Sequence, residues 1–322
     1  MDTASHLLFG ATLGGLALLD PVVVQQPVLA HAIMTVTLIG SHAPDFDSIA
    51  RLKSYTAYIR THRGITHSLP ALFIWPLLLS VPIASYFHVW TYVPLLFSWA
   101  MAAVVFHVLL DWFNVYGVQC FRPLSNKWKH LDVLSLFEPF LFVIHSAGMI
   151  IWSVTGTTGE TGWIFLGIYI ITFMYILMRA YQHGRAVRQA EQILGERGAC
   201  QVFPTWRWSR WQIVTETKEH FFTGVLERGV LDIHDIYEKK PSDSIVQATL
   251  AADGVQAFLY FAQRVLVRCK EENDGYLVEW RDVRFWYNHK LPFGVDVQLD
   301  RNLNVVNHTL GWRKRVWDPP YV

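Results

Sequence analysis

The chain has 322 residues, of which 52% are hydrophobic and 16% are charged, and its formal net charge is +1. The hydrophobic content excludes a disordered protein, and the near-neutral charge gives no reason to expect a nucleic-acid partner. The length allows two domains of ordinary size.

The charged residues are distributed unevenly along the chain. Residues 1–182 contain 8 acids and 8 bases, whereas residues 183–322 contain 18 acids and 19 bases. The first part is therefore about 9% charged and the second about 26%, against roughly 25% in an average soluble protein. We predict a membrane domain over 1–182 and a soluble domain over 183–322.

Six segments of the first part have the apolar composition of membrane helices, which need about 20 such residues. They cover residues 5–19, 28–41, 69–87, 92–113, 134–154 and 163–181. The first two are short, and Gly10, Gly14 and Gly15 indicate close packing inside a bundle. The last four are long enough to cross a bilayer.

Lysine and arginine are confined to alternate loops of this part. All eight lie after the second segment, after the fourth segment, or at the end of the sixth. The positive-inside rule then places both termini in the cytoplasm. We predict an integral protein of the bacterial inner membrane.

The second part has a different pattern. An amphipathic stretch to about residue 197 predicts a helix that leaves the membrane. Aromatic and β-branched residues then alternate with polar ones over 206–217, 220–227, 257–287 and 293–300, as in antiparallel strands. The predicted fold class is a membrane all-α bundle of about six apolar helices, followed by a soluble, mainly antiparallel β domain with some helix.

Tryptophan alternates with arginine and lysine twice in the second part, at 206–211 and 312–317. This composition suits the headgroup layer of an anionic membrane. A β core with exposed arginines is the alternative interpretation.

Ionisable side chains near a membrane are costly to bury, so each one is a candidate functional residue. Three motifs concentrate them: Ser-His-Ala-Pro-Asp-Phe-Asp at 41–47, His-Arg-Gly-Ile-Thr-His-Ser at 62–68, and His-Val-Leu-Leu-Asp at 107–111. Each motif also has a structural interpretation. The motif at 41–47 is then a helix cap, and the motif at 62–68 is a solvated loop. The motif at 107–111 is then a His–Asp hydrogen bond between residues i and i+4 inside a bundle.

All the candidate residues fall on the predicted cytoplasmic side. Nine nitrogen and oxygen ligands exceed one metal site and suit two or three ions, foremost Zn²⁺, with Mn²⁺ or Fe²⁺ also compatible with carboxylates. No cysteine accompanies them, which argues against a purely structural zinc site. The predicted ligands are His6, His42, Asp45, Asp47, His62, His67, His107, Asp111 and Glu138.

This set resembles the membrane-bound, metal-dependent hydrolase family of the YdjM/YfhP type. The resemblance covers about residues 1–180, and the YfhP-like members have a comparable C-terminal extension. The matching positions are His6, residues 44–47, residues 62–68, residues 107–111, Asn114, Tyr116-Gly117 and Arg122-Pro123.

That family is in turn distantly similar to zinc-dependent phospholipase C and the S1/P1 nucleases. Those are all-helical enzymes in which a trinuclear zinc cluster of His and Asp cleaves phosphodiesters. They use an N-terminal Trp as a ligand, whereas this chain begins with Met1 and Asp2. They also have a further helix with an HxxxE-type motif, for which Glu138 is the only equivalent in this chain. The resemblance therefore implies two ions more readily than three.

We therefore predict a metal-dependent, phospholipase-like hydrolase acting on a phosphoester in a membrane lipid or lipid-linked substrate. A metal-activated water is the expected nucleophile, and Asp47 or Asp111 bridges metals or takes its proton. Arg63 and Arg122 are the expected phosphate contacts, although Arg122 also suits a positive-inside anchor.

Other classes of function remain open from the sequence. A metal transporter or sensor would use the same ligands without hydrolysis, but a transporter tends to place them near the bilayer midplane. A structural scaffold would leave the His and Asp residues unexplained. The sequence does not fix the oligomeric state, and a homo-oligomer fits it.

Overall fold

The computed structural model of the chain describes residues 1–195, 198–239 and 243–314. Its contacts divide the chain into two compact units. The first comprises Met1–Asp47 and Arg63–Tyr181, and the second comprises Ser48–His62 and Gln182–Val322. The segment Ser48–His62 therefore clusters with the C-terminal part of the chain.

Residues 1–195 contain eight α-helices and four 3₁₀ segments, with a long irregular stretch over 113–138. The α-helices are α1 (Thr3–Leu16), α2 (Pro21–Gln25), α3 (Pro27–Gly40), α4 (Tyr55–Thr61), α5 (Ala71–Tyr86), α6 (Val93–Trp112), α7 (Pro139–Thr155) and α8 (Gly159–Leu194). The 3₁₀ segments are Ala17–Leu19, Ala43–Leu52, Ile65–His67 and Trp90–Tyr92. The six long apolar helices confirm the predicted helical region.

Fewer of these helices than predicted are long enough to span a membrane unaided. Among the described residues two qualify, Trp90–Trp112 and Gly159–Leu194, or three if α5 is joined to the bent segment before it. With 16 residues α5 rises only about 24 Å, less than a hydrocarbon core of about 30 Å. Of the four spans predicted as long, α6 and α8 qualify on their own, α5 qualifies only together with the bent segment before it, and α7 falls short.

Single residues at its two ends set the length of α7. It starts at Pro139, the first helical position, because a proline there loses no helical hydrogen bond. It ends at Gly156, whose positive φ of 74° suits glycine and stops the helix. The helix therefore has 17 residues and begins five residues after the predicted start at 134.

Close packing between α1 and α3 depends on small residues, as the sequence predicts. A Cβ atom added at Gly10 would collide with the side chain of Ser41 and lie 2.8 Å from the carbonyl oxygen of Thr37. A Cβ at Gly14 would lie 2.9 Å from the hydroxyl of Thr37. The missing side chains let α1 pack directly on the end of α3.

The second unit contains two four-stranded antiparallel sheets, with strand orders β1-β2-β3-β4 and β5-β6-β7-β8. The strands are β1 (Ala199–Pro204), β2 (Arg210–Glu216), β3 (His220–Glu227), β4 (Val230–Glu238), β5 (Val265–Glu272), β6 (Gly275–Asp282), β7 (Phe293–Asp300) and β8 (Val305–Trp312). Two helices lie between the sheets in sequence, α9 (Ser244–Ala248) and α10 (Asp253–Phe261). The predicted antiparallel β domain is confirmed.

Residues 257–261 are helical, so their assignment to a strand was wrong. They end α10, in which Gly254, Phe258 and Phe261 are buried at helical spacing. Phe261 packs edge-on against Phe293 of β7, with ring centroids 5.7 Å apart. The alternation that suggested a strand is here one apolar face of a short helix.

The Trp-rich motif at 206–211 contains both exposed and buried indole rings. Trp206 and Trp208 are exposed, whereas Trp211 is buried with Ala186 and Ala190 of α8. In the second motif Trp312 ends β8, and residues 315–317 lie outside the described residues.

The packing of α1 on α3 is testable through Gly10. Gly10→Ala should lower the free energy of unfolding by about 1–3 kcal/mol, because its new methyl group meets the Thr37 backbone. Gly167→Ala in α8 faces open space and should leave stability unchanged or raise it by up to about 1 kcal/mol. Thermal unfolding in detergent compares the two, and equal midpoints would contradict this packing.

Candidate metal centre

One end of α6 supplies two of the predicted ligands. His107 and Asp111 are an i, i+4 pair, so they project from the same helical face close to the C-terminal end at Trp112. The side chains of both are fully buried. The spacing predicted from the sequence is realised at a helix end.

Two further ligands come from short 3₁₀ segments. Asp45 lies in the segment Ala43–Leu52 after α3, and His67 ends the segment Ile65–His67 before α5. The His67 side chain is fully buried, whereas that of Asp45 is 12% exposed. These four residues, Asp45, His67, His107 and Asp111, form a group able to hold a metal ion, which we call the four-residue cluster.

The donor atoms of the four-residue cluster are evenly spaced. Nε2 of His107 lies 3.3 Å from Nε2 of His67, and each of these nitrogens lies 3.5 Å from Oδ1 of Asp45. Oδ2 of Asp111 lies 3.5 Å from the first imidazole, His67, and 3.6 Å from the second. A tetrahedron with metal–ligand distances of about 2.0–2.2 Å has edges of about 3.3–3.6 Å, so the donor set fits one tetrahedral ion.

Hydrogen bonds orient both imidazoles toward the centre of the cluster. Nδ1 of His107 lies 2.7 Å from the backbone carbonyl of Ser41, which can only accept, so that nitrogen carries the proton. Nδ1 of His67 lies 3.0 Å from the Thr66 hydroxyl, which itself donates to Asp47. With each Nδ1 atom hydrogen-bonded in this way, Nε2 is the ring nitrogen that faces the centre of the cluster, as in histidines that ligate metals.

The two oxygens of Asp111 have different surroundings. Oδ1 accepts from the guanidinium of Arg63 at 2.9 Å and also pairs with the amino group of Met1. Oδ2 is buried and accepts no hydrogen bond from the described residues. One oxygen is thus neutralised by protein cations, and the other faces the imidazoles with a coordination site to offer.

The cluster offers anionic oxygens to a metal ion. Burial alone raises the pKa of the Asp45 carboxyl, but the imidazoles of His107 and His67 outweigh it and hold that pKa well below its usual range. Asp45 is therefore ionised at neutral pH, which is the form that binds metals. Arg63 and the amino group of Met1 already engage the other oxygen of Asp111, so the cluster carries less than two uncompensated negative charges.

His6, Asp47 and Arg63 adjoin the cluster without belonging to it. The ring of His6 stacks on His107 with centroids 3.9 Å apart, and its Nε2 atom faces the Met1 amino group at 2.9 Å. Asp47 accepts from the backbone N–H of Arg63 and supports His67 through Thr66. The Arg63 side chain is 8% exposed and is already engaged with Asp111 and Asn114.

The remaining predicted site residues make further contacts of their own. His42 contacts Phe46, and His62 ends α4 in the second unit, where it stacks on Tyr58. Glu138 accepts hydrogen bonds from Ser135 and from Tyr175 of α8. The backbone carbonyl of Arg122 accepts from Leu69, two residues beyond His67.

Sequence reasoning missed three groups that support the cluster: the Thr66 hydroxyl, the Ser41 carbonyl and the Met1 amino group. Thr66 had a signal, because a hydroxyl residue beside a candidate ligand is a natural second partner for an imidazole. The carbonyl and the amino group had none, since every chain contains such groups and only folding selects them.

The geometry defines a class of protein: a helical membrane unit with a buried His and Asp centre able to hold a metal, joined to an α/β unit. Residues 1–186 match the family model described as YdjM inner membrane protein, and the chain belongs to that family. Residues 200–237 match the YfhP middle domain, and residues 244–316 match the YfhP C-terminal alpha/beta plait domain.

A relative from Bacillus subtilis (strain 168), "Uncharacterized protein YfhP", is 36% identical over 321 residues. The match covers 97% of this chain and 95% of that protein. No solved structure matches the chain. The similarity thus extends over nearly the whole of both chains.

The Thr66 hydroxyl allows a test of the hydrogen bonds behind His67. Thr66→Val removes the group between His67 and Asp47, so zinc affinity should fall about 10- to 100-fold. Thr35→Val is the matched control, because the Thr35 hydroxyl bonds only to a carbonyl of its own helix at 2.8 Å. Competition titration with a chelator measures both variants, and similar affinities would refute a supporting role for Thr66.

Proposed function

We propose that the helical unit is a metal-dependent hydrolase that cleaves a phosphoester in a membrane lipid or lipid-linked substrate. The observation that carries this proposal is the four-residue cluster, whose donor atoms lie 3.3–3.6 Å apart in the measured pairs. Two nitrogens and two oxygens without sulfur favour Zn²⁺, and Mn²⁺ or Fe²⁺ also accepts such a set. A second or third ion would need donors beyond these four.

The proposed membrane orientation puts the cluster on the cytoplasmic side, with both chain termini there. The loops that contain Asp45 and His67 are also the loops rich in Lys and Arg, which face the cytoplasm by the positive-inside rule. Asp111 lies one residue before the end of α6, so the site is at a helix end. A site at that level is accessible to lipid headgroups.

Hydrolysis adds water across a P–O bond: phosphorus gains a hydroxyl group, and the leaving oxygen gains a proton. A divalent metal supplies Lewis acidity, which polarises a phosphoryl oxygen and makes water acidic enough to attack near neutral pH. Asp45 is the one cluster residue with surface exposure, so we assign it the contact with the entering water. Thr66 and Asp47 keep His67 in the required tautomer.

The two arginines receive different roles. The guanidinium of Arg63 holds Asp111 and Asn114, so we assign it to positioning the Asp111 carboxylate rather than to binding phosphate. Arg122 keeps the phosphate contact predicted from the sequence, since its backbone is bonded to Leu69 near His67.

A metal transporter or sensor is the competing function. It would bind the same ion without turnover, and transporters tend to hold their ions near the bilayer midplane between helices. Here three ligands lie beyond or close to helix ends, at Asp45, His67 and Asp111. This placement favours chemistry at a membrane surface.

Hydrolysis is testable with the purified full-length chain in nanodiscs. We expect release of phosphate or headgroup from at least one member of a phospholipid panel, and a loss of more than about 100-fold in Asp111→Asn, because even outer partners of metal ligands are worth about 10- to 100-fold. His31→Ala, an exposed histidine of α3, should retain full activity. Full metal occupancy without turnover of any ester would refute the hydrolase and favour sensing.

A further inference from the structure

An aromatic pair stands beside the four-residue cluster. Phe46 lies between Asp45 and Asp47, yet its side chain is 45% exposed. Its ring meets that of Trp75 edge to face, with centroids 5.9 Å apart and an interplanar angle of 89°. Phe46 therefore presents an exposed aromatic ring directly beside a ligand of the cluster.

Both rings are fixed to segments that carry ligands. Phe46 follows Asp45 directly in the chain, and the indole N–H of Trp75 donates to the backbone carbonyl of Thr66 at 3.0 Å. Thr66 precedes His67 and contacts its ring nitrogen. The pair therefore bridges the two loop segments that supply Asp45 and His67.

The least buried residue of the cluster adjoins this pair in the chain. The side chain of Asp45 is 12% exposed, whereas those of His67, His107 and Asp111 are fully buried. The next residue, Phe46, is 45% exposed. The accessible edge of the cluster and the exposed ring of Phe46 thus belong to consecutive residues.

The apolar surface continues from the pair along α5. Phe73 and Ile74, in the same first turns as Trp75, are more than half exposed, as are Leu77 and Leu78 one turn later. In an inner membrane protein such a helix face is covered by lipid chains, since water would not tolerate an apolar patch of this kind.

We infer that Phe46 and Trp75 form a lateral entrance, at which the acyl chain of a bilayer lipid packs on the aromatic pair while its phosphate group reaches the cluster. The substrate class is then a membrane-resident phospholipid rather than a water-soluble phosphoester. This inference rests on the proposed hydrolase for the lipid's role as a substrate, whereas the lipid contact itself is independent of turnover.

Photocrosslinking tests the contact without relying on activity. The full chain with Phe46→p-benzoylphenylalanine is reconstituted in vesicles of phosphatidylglycerol and phosphatidylethanolamine and irradiated. We expect several-fold more lipid adduct than with the same group at Val306, an exposed position of β8. Equal adduct at the two positions overturns the inference.

Kinetics test the specificity. Phe46→Ala should lower kcat/KM for the vesicle lipid about tenfold, yet change hydrolysis of soluble bis(4-nitrophenyl) phosphate less than about twofold, because only the lipid loses apolar contact. Phe46→Leu should restore most of the loss, and Phe173→Ala, an exposed phenylalanine of α8, should resemble the wild type. Equal losses on both substrates would overturn the entrance and assign Phe46 a structural role.

The two proposals fail in different ways. A strong lipid adduct at position 46 in a protein that cleaves no ester keeps the lipid contact and refutes the hydrolase. Turnover of the soluble ester that depends on Asp111, without lipid adduct at position 46, keeps the hydrolase and refutes the lateral entrance.

Discussion

Two carboxylates and two imidazoles share one buried site at the ends of membrane helices, and their charge is the constraint on which the helical unit depends. A buried carboxylate without a partner costs several kcal/mol, so each oxygen must be accounted for. Arg63 and the Met1 amino group neutralise one oxygen of Asp111, and its other oxygen faces His67 and His107. This arrangement is able to hold a metal ion.

The architecture of the unit follows from bringing these ligands together. Gly10 lets α1 approach the end of α3 at Ser41, and the carbonyl of that serine fixes the ring of His107 on α6. Three elements distant in sequence are thereby locked at one point. The catalytic proposal thus depends on helix packing as much as on the ligands, because an imidazole in the wrong tautomer presents no lone pair to a metal.

Sequence patterns predicted the parts of the site that repeat at a fixed spacing. His107 and Asp111 stand one helical turn apart, so their common face followed from the helix itself. The role of Arg63 could not be predicted, because its backbone has a positive φ of 61° and its side chain turns inward to Asp111. Glu138 matched a ligand in type and predicted side, but folding places it with Ser135 and Tyr175.

The same distinction applies to the fold. Helices and strands with a strong apolar period were predicted. Residues 257–261 of α10 were instead assigned to a strand, because they stand at the start of a longer alternating run. The length of α7 depended on two single residues, Pro139 and Gly156, whose effect on a helix boundary is local. Hydropathy averaged over a window does not resolve such boundaries.

X-ray absorption at the metal edge of the full-length protein, purified in detergent without chelators, tests the metal centre most directly. The account predicts at least one tightly held ion per chain with only nitrogen and oxygen neighbours at about 2.0–2.2 Å and the scattering signature of two imidazoles. That signature should disappear in His107→Ala. Sulfur ligation, or an imidazole count that His107→Ala leaves unchanged, would contradict the account.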